Sequence, residues 1–402
     1  MWNFIKLLGL SSCEITRYSQ TGKQVYIQVK IRRKSAICPW CNARTTTVRS
    51  LSKVRTIKHG VVWSKECLLL VQQRRFTCMS CTKTFSEELP FVQKRQTVTR
   101  AHKKEVVFNL SDRSFSSTTK RFHVSYPTQV KWLKELVAAE VFSFQQEKKC
   151  GAPFVLGIDE VSFSGNDMVT TIGNITTHQL KGVLHSKRKD ELKKVLRSIP
   201  KTVCPLISEV VIDMCTLYLK AVQETLPHTS VVVDHFHIIK DANHRIDEER
   251  RLLQEIYNRK IPRYIFMKNK EDLKESELEI LEHMLKKYPE LTMFYGTKER
   301  LRAMYRSKDK KEALDAMRSI IPSLTATDDG ELISWGRTLS YWKPYILNYW
   351  DSKSTNAYME GIHNKMKLIK RISFGFKNKE VFIHKVMLSV LLASVLLPYF
   401  DS

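Results

Sequence analysis

Two C-x-x-C turns, Cys38-Pro39-Trp40-Cys41 and Cys78-Met79-Ser80-Cys81, constrain this chain more than any other feature. A tight turn of this spacing lets two thiolates reach one tetrahedral zinc at about 2.3 Å, and two such turns complete the ligand set. A redox pair would need only one of them. Cys38, Cys41, Cys78 and Cys81 are therefore expected to hold a structural Zn2+. The surrounding sequence is strand-like, with Val25, Ile27, Val29 and Ile31 alternating with polar residues and similar segments near Val61 and Leu69. Residues 1–92 thus read as a zinc-ribbon domain. Cys13, Cys67, Cys150, Cys204 and Cys215 lack paired spacing and read as small core residues. The odd cysteine count, and a start without the charged head and apolar stretch of a secretory leader, point to a reducing cytoplasm.

At 402 residues the chain exceeds the usual size of one core, so two or three domains are expected. Its net charge is +26, of which residues 1–150 carry +19. A charge so polarised points to a polyanion gripped by the first third, with nucleic acid ahead of an acidic membrane surface. The longest apolar run, Val386 to Leu397, falls short of the ~20 residues a membrane span needs and reads as a buried helix.

Residues 93–148 are helical and basic. Helices are expected over Arg100–Leu110, Ser117–Phe122 and Pro127–Glu140, the last with Pro127 in its first turn and an apolar stripe of Val130, Leu133, Val137 and Val141. The second and third, joined at His123-Val124-Ser125, have the form of a helix-turn-helix; an ordinary basic hairpin has the same pattern. In the first case Thr128, Gln129, Lys131 and Lys134 would face a DNA groove, with Arg74 and Arg75 as further DNA contacts.

From residue 149 the pattern is α/β: a three-stranded meander beginning at Phe154, a helix, the strand Val210–Asp213, a helix, and the strand Val231–Asp234. This is the element order of a ribonuclease H-like core, in which carboxylates at the ends of adjacent strands converge. Asp159, Asp213 and Asp234 each end an apolar strand. One such Asp is ordinarily a cap or turn residue; three are harder to dismiss. Glu160 adjoins Asp159, but successive strand side chains alternate faces, and Asp159 shares the parity of Val155 and Gly157. Residues from about 245 to 348 read as an all-α insertion, with Trp335 and Trp342 as core aromatics or, in the other reading, platforms for a flipped base. Ser354-Thr355-Asn356 then offers an N-cap to a helix running towards Arg371. Its apolar stripe is Met359, Ile362, Met366 and Ile369, while Asn356, Glu360, His363 or Asn364, and Lys367 form a polar face.

Taken together, Cys38-x-x-Cys41, Arg74-Arg75-Phe76-Thr77-Cys78-x-x-Cys81, Gly157-Ile158-Asp159-Glu160, Val233-Asp234-His235-Phe236-His237 and Asn356-Ala357-Tyr358-Met359-Glu360-Gly361 resemble the ISL-three (ISL3) family of bacterial insertion-sequence transposases. The resemblance spans nearly the whole chain. It implies a zinc-binding N-terminus, a helix-turn-helix and a ribonuclease H-like DDE catalytic domain over 149–402, with Asp159 and Glu360 as first and third acids. Asp213 is the implied second acid and Asp234 the alternative. Asp234-x-x-His237 resembles a motif that follows the second acid in related transposases, so both residues would support the site.

Three carboxylates suit Mg2+ or Mn2+, and two such ions ~3.5–4 Å apart can assist a phosphodiester displacement. The implied activity is cleavage at terminal inverted repeats and strand transfer to target DNA, by a homodimer or higher oligomer on double-stranded DNA, nucleoid-associated in a bacterial cytoplasm. With no Walker-type loop, no ATP is expected. A DNA-binding repressor that has lost cleavage is the alternative, and the presence of all three acids favours the enzyme.

Overall fold

The structure is a computed structural model that describes residues 5, 8–62, 64–137 and 143–391. Val141 and residues 392–397 of the long apolar run lie outside the described residues. Two compact units emerge, Met1–Ala139 with Met366–Ser402, and Glu140–Lys365. The units do not follow the segments read from the sequence, because residues from 366 onwards group with the N-terminal elements.

In the first unit, β1 (Cys13–Thr21), β2 (Gln24–Ile31), β7 (Lys65–Val71) and β6 (Arg55–Val62) form a sheet in that order, with β2 and β7 parallel. The alternation in β2 is realised: Ile27, Val29 and Ile31 are buried, while Gln28 and Lys30 are exposed. Two small ladders adjoin, β3 (Ala36–Ile37) with β4 (Arg44–Thr45), and β5 (Val48–Leu51) with β8 (Arg74–Thr77) and β9 (Thr84–Ser86). They enclose Phe76 and Phe85 beside the cysteines.

Three helices follow, α1 (Arg100–Asn109), α2 (Phe115–Phe122) and α3 (Tyr126–Leu136). Thr99 and Ser114 cap α1 and α2 with their hydroxyls, and α2 ends at His123 in the left-handed region. On α3 the expected stripe is met at Leu133 and Val137, both buried, and is widened by residues outside it. Gln129, Trp132 and Leu133 are buried, and Val130 is only partly so. Helix α15 (Lys379–Leu391) packs beside them. Its Lys385 Nζ donates to the Arg113 carbonyl at 2.6 Å and its Ser389 Oγ to the Ser111 carbonyl at 2.6 Å. These donors satisfy backbone carbonyls of the α1–α2 turn, which explains why α15 joins this unit.

The second unit begins with α4 (Gln145–Cys150) and a sheet of β10 (Phe154–Ser164), β11 (Asp167–Asn174), β12 (Gln179–Leu184), β13 (Ile207–Ile212) and β14 (Ser230–Val233). Its order is β12-β11-β10-β13-β14, antiparallel through the first three and parallel from β10 to β14. Helices α5 (Lys189–Ser198) and α6 (Thr216–Thr225) make the crossovers that parallel strands require. Val210–Ile212 and Val231–Val233 are buried throughout, as expected of strands covered on both faces.

A helical block follows: α7 (His235–Tyr257), α8 (Tyr264–Met267), α9 (Glu275–Lys287), α10 (Glu290–Tyr305), α11 (Lys310–Thr325), α12 (Gly330–Leu347) and α13 (Tyr349–Ser352). It starts directly after Asp234, earlier than the sequence suggested. Trp335, stacked on Phe294 at 6.2 Å, and Trp342 are both buried in its core. Where the block returns to the sheet, Asn348 Nδ2 donates to the Val231 carbonyl at 2.9 Å, and the hydroxyls of Ser352 and Ser354 donate to the buried Glu209 carboxylate at 2.8 and 2.9 Å.

Helix α14 (Ala357–Ile372) comes next, with Met359, Ile362, Met366 and Ile369 all buried. Its first turn approaches β10 and β11 closely enough to require glycine there. A Cβ on Gly157 would lie 2.8 Å from Asn356 Oδ1 and from Ile175 Cδ1, and one on Gly173 would lie 2.7 Å from Met359 Sδ. Gly157→Ala should therefore lower stability by about 1–3 kcal/mol through overpacking. Denaturant unfolding of the full chain checks this, and an unchanged midpoint would mean that α14 shifts freely.

Candidate functional site

The sheet register sets the acids. Gly157 pairs with Val211 and Ile212 with Val233, so by continuation Asp159 stands level with Asp213, and Asp213 with Asp234. The Asp234 N–H donates to the Ile212 carbonyl at 2.9 Å, extending the ladder one step. All three carboxylates are buried. The three acids thus share one level across adjacent parallel strands, but only Asp213 and Asp234 end theirs; the expectation that Asp159 ends its strand is corrected, because pairing with β11 carries β10 on to Ser164.

Their surroundings differ. Asp234 is the N-cap of α7, its Oδ1 accepting from the Phe236 N–H at 3.4 Å and lying 3.3 Å from His235 Nδ1. Asp159 Oδ1 accepts from the Glu160 N–H at 2.7 Å and lies 3.7 Å from His237 Nε2. Asp213 Oδ1 is buried with no hydrogen-bond partner. Of the two candidates for second acid, Asp234 is occupied with capping, whereas Asp213 has an oxygen left over.

Burial pushes Asp159 up to about 7; the Glu160 N–H opposes the shift, and the Asp213 and Asp234 carboxylates add to it. Burial likewise pushes Asp213 up to about 7, with Glu160 the next cause and Lys240 and Lys187 opposing. His237 is held below its usual value by burial, against the pull of Asp234, so it is neutral near pH 7. Thr171 Oγ1 lies 3.1 Å from the Asp159 carbonyl and within hydrogen-bond reach, 2.8 Å, of His363 Nε2. On the other side of its ring, His363 Nδ1 faces Asp159 Oδ2 at 3.6 Å.

Glu360 is not drawn in with the other acids. It lies exposed on α14, where its N–H donates to the Asn356 carbonyl at 3.0 Å, while His363 one turn on faces Asp159. Among the described residues, the four cysteines are the only group of three or more His, Cys, Asp or Glu whose ligand atoms all lie within 4.8 Å of one another. The sequence reading set Glu160 aside and missed Thr171, Lys187 and Lys240. Lys240 follows His237 by three residues on α7, a spacing that could have flagged it.

The cysteines do converge. Cys38 Sγ lies 3.6 Å from Cys81 Sγ, and Cys41 Sγ lies 3.5 Å from Cys78 Sγ. Four sulfurs at tetrahedral corners around zinc would be about 3.8 Å apart. The two turns match: Cys38 N–H donates to the Ala43 carbonyl and Cys78 N–H to the Lys83 carbonyl, both at 2.9 Å. Each places a left-handed residue, Asn42 or Thr82, just after its second cysteine. The Cys81 N–H foremost holds the Cys78 thiol down to about 6, ready to bind as thiolate. The four free thiols therefore fit a zinc site.

The expected DNA-contacting residues divide. Arg75 and Lys131 are exposed. Thr128 is partly buried with Oγ1 3.0 Å from Ser125 Oγ, and Lys134 pairs with Glu380. Two expectations are corrected. Gln129 is fully buried, its amide donating to Thr119 Oγ1 at 2.7 Å and to the Val124 carbonyl at 2.8 Å, so it braces the α2–α3 turn. Arg74 turns inward to Glu87 and the Arg33 carbonyl and braces the ribbon.

Two measurements test this geometry. Purified protein should carry about one zinc per chain by elemental analysis, and Cys78→Ser should lose it; unchanged metal content would remove the assignment. In chelator, Asp159 and Asp213, raised by burial, stabilise the fold fully below about pH 4 and lose that contribution as pH rises through about 7. Their part of the melting-temperature profile should fall over that window, and Asp213→Asn should flatten it. A profile identical in the variant would mean that Asp213 is solvated.

A family model described as a transposase, of the DDE type named for ISL3, matches residues 156–386. The chain is also 22% identical over 375 residues to the transposase for insertion sequence element IS1001 of Bordetella parapertussis, with 91% of each chain covered. The family match takes in β10 to β14, the helical block and α14, more than half of the residues, and so the chain belongs to the ISL3 family of DDE transposases.

Proposed function

We propose that this insertion-sequence transposase binds the terminal inverted repeats of its element, cleaves the DNA there and joins the freed ends to target DNA. The observation that carries the reading is the unpartnered, buried oxygen of Asp213, level with Asp159 and inside the matched region. An acid kept buried without a hydrogen bond is costly, and a carboxylate oxygen so placed suits a cation ligand. The sheet order, three strands antiparallel and then two parallel, supports a ribonuclease H-like core. Helices α2 and α3, with the turn braced by Gln129, support a helix-turn-helix in which Lys131 meets DNA, while Arg75 meets it from the ribbon.

Asp159 and Asp213, with Glu360 as third acid, would hold Mg2+ or Mn2+, and Zn2+ would sit on the four cysteines. Such ions would supply activation of water and charge stabilisation on the attacking and leaving oxygens. Asp234, by capping α7, fixes the start of the helix that carries His237, and neutral His237 orients one oxygen of Asp159. Thr171 and His363 orient the other. Joining two ends calls for a homodimer or higher oligomer, and nothing in the reading requires ATP. The repressor alternative is not favoured, because it has no use for two acids held in such costly surroundings.

The test is Mg2+-dependent cleavage of labelled DNA bearing the element's inverted repeats. Asp213→Asn and Glu360→Gln should abolish cleavage while end binding persists, and Asp234→Asn should only weaken it. Full cleavage by Asp213→Asn with loss in Asp234→Asn would transfer the second acid to Asp234. Specific binding by the wild type without cleavage under any divalent metal would overturn the enzymatic reading.

A further inference from the structure

The turn that ends α14 carries a side chain that the reading so far does not use. Phe374 is 91% exposed, more than any other large hydrophobic residue described. Its backbone is left-handed, φ 57°, and Gly375 follows at φ 90°. The Gly375 N–H donates to the Lys370 carbonyl at 2.9 Å and the Phe374 N–H to the Arg371 carbonyl at 3.1 Å, the paired bonds of a Schellman helix end. In that motif the left-handed position ordinarily belongs to glycine, which has no Cβ to strain. Here glycine stands one place later and phenylalanine takes the strained place, with no burial to offset it.

The turn is also held firmly. Ser373 Oγ accepts from the buried Lys385 Nζ at 2.7 Å, and Phe376, on the other side of Gly375, packs edge-on against Phe382 at 5.3 Å. One phenylalanine of the pair anchors the turn and the other is displayed. The surroundings are basic: between Glu360 and Glu380 there is no acidic residue, and Lys367, Arg371 and Lys377 are exposed. A rigid aromatic ring among cations matches an unstacked base flanked by phosphates, because the ring stacks on any base while the cations meet the backbone. Charge complementarity thus favours DNA over a second copy of this basic segment.

We infer that Phe374 is a stacking platform for an unpaired or opened base of bound DNA, with Arg371 and Lys377 on the adjoining phosphates. The inference rests on the DNA-binding reading above and adds to it a residue and a form of DNA.

The experiment uses the full-length zinc-loaded protein and two probes: a blunt random-sequence duplex, and the same duplex with a single-stranded thymidine overhang containing 2-aminopurine. Wild type should bind the overhang probe more tightly and quench its fluorescence. Phe374→Leu should keep blunt-duplex binding but lose the quenching and roughly 5- to 100-fold of affinity for the overhang, the scale of one base–aromatic stack, and Phe374→Trp should restore both. Arg371→Gln and Lys377→Gln should weaken both probes alike and each reduce the salt slope by about one. Unchanged quenching and preference in Phe374→Leu, with wild-type duplex binding intact, would overturn this inference alone. A fall in oligomeric mass in Phe374→Leu by light scattering would overturn it in favour of a contact between copies. If wild type bound neither probe, the DNA-binding reading would fall and this inference with it.

Discussion

Three buried carboxylates stand at one level across the parallel strands β10, β13 and β14, Asp159 within its strand and Asp213 and Asp234 just past the ends of theirs. An ionised acid out of water is tolerated only if it is hydrogen-bonded, paired or neutralised. The second unit meets the demand differently at each acid. Asp234 spends itself on a helix start, Asp159 leans on a backbone N–H and lies between two imidazoles, and Asp213 keeps one oxygen unsatisfied. Much of the neighbouring architecture follows. Gly157 and Gly173 let α14 approach the sheet, which brings His363 to Asp159, and Thr171 holds the ring by its Nε2. The raised values of Asp159 and Asp213 express the same constraint, since without a cation the protein can lower the cost of burial by keeping a proton.

The first unit answers a different demand. Its sheets are small, and the cluster at Phe76 and Phe85 is too slight to fix two loops by packing alone. The matched cysteine turns supply that fixation, and Arg74 with Glu87 braces the strand that leads into the second turn. Polar side chains do much of the holding in this unit, as Gln129 and Lys385 also show, while other basic residues such as Arg75 and Lys131 remain outside.

Much was legible in the sequence wherever a periodic signal met burial. The stripe of Met359, Ile362, Met366 and Ile369 is buried as read, the alternation of β2 is realised, and the cysteine spacing led to four converging sulfurs. Parity along β10 singled out Asp159, and the register shows it level with Asp213. What spacing could not reveal is whether a polar side chain is spent internally. Gln129 and Arg74 occupy positions that suit DNA contact, yet their donors are used by carbonyls and carboxylates from other elements. Thr171 was hidden for a related reason, because its part depends on the pairing of β10 with β11 and on a helix far along the chain. Glu160 was set aside by strand alternation, but Asp213 lies past the end of β13, where alternation no longer decides which charges meet.

The helical block leaves the sheet at Asp234 and comes back to it at Asn348, Ser352 and Ser354, and both ends of this excursion are tied to β13 or β14. Its stem is thus closed by hydrogen bonds that belong to the sheet. Burial closes it further, since Trp335, Ile346 and Leu347 of the block belong to the same hydrophobic core as Val210 and Val231 of the sheet. Sheet and block therefore share a single core, and a change that loosens the block is also felt by the strands that carry the acids at its foot.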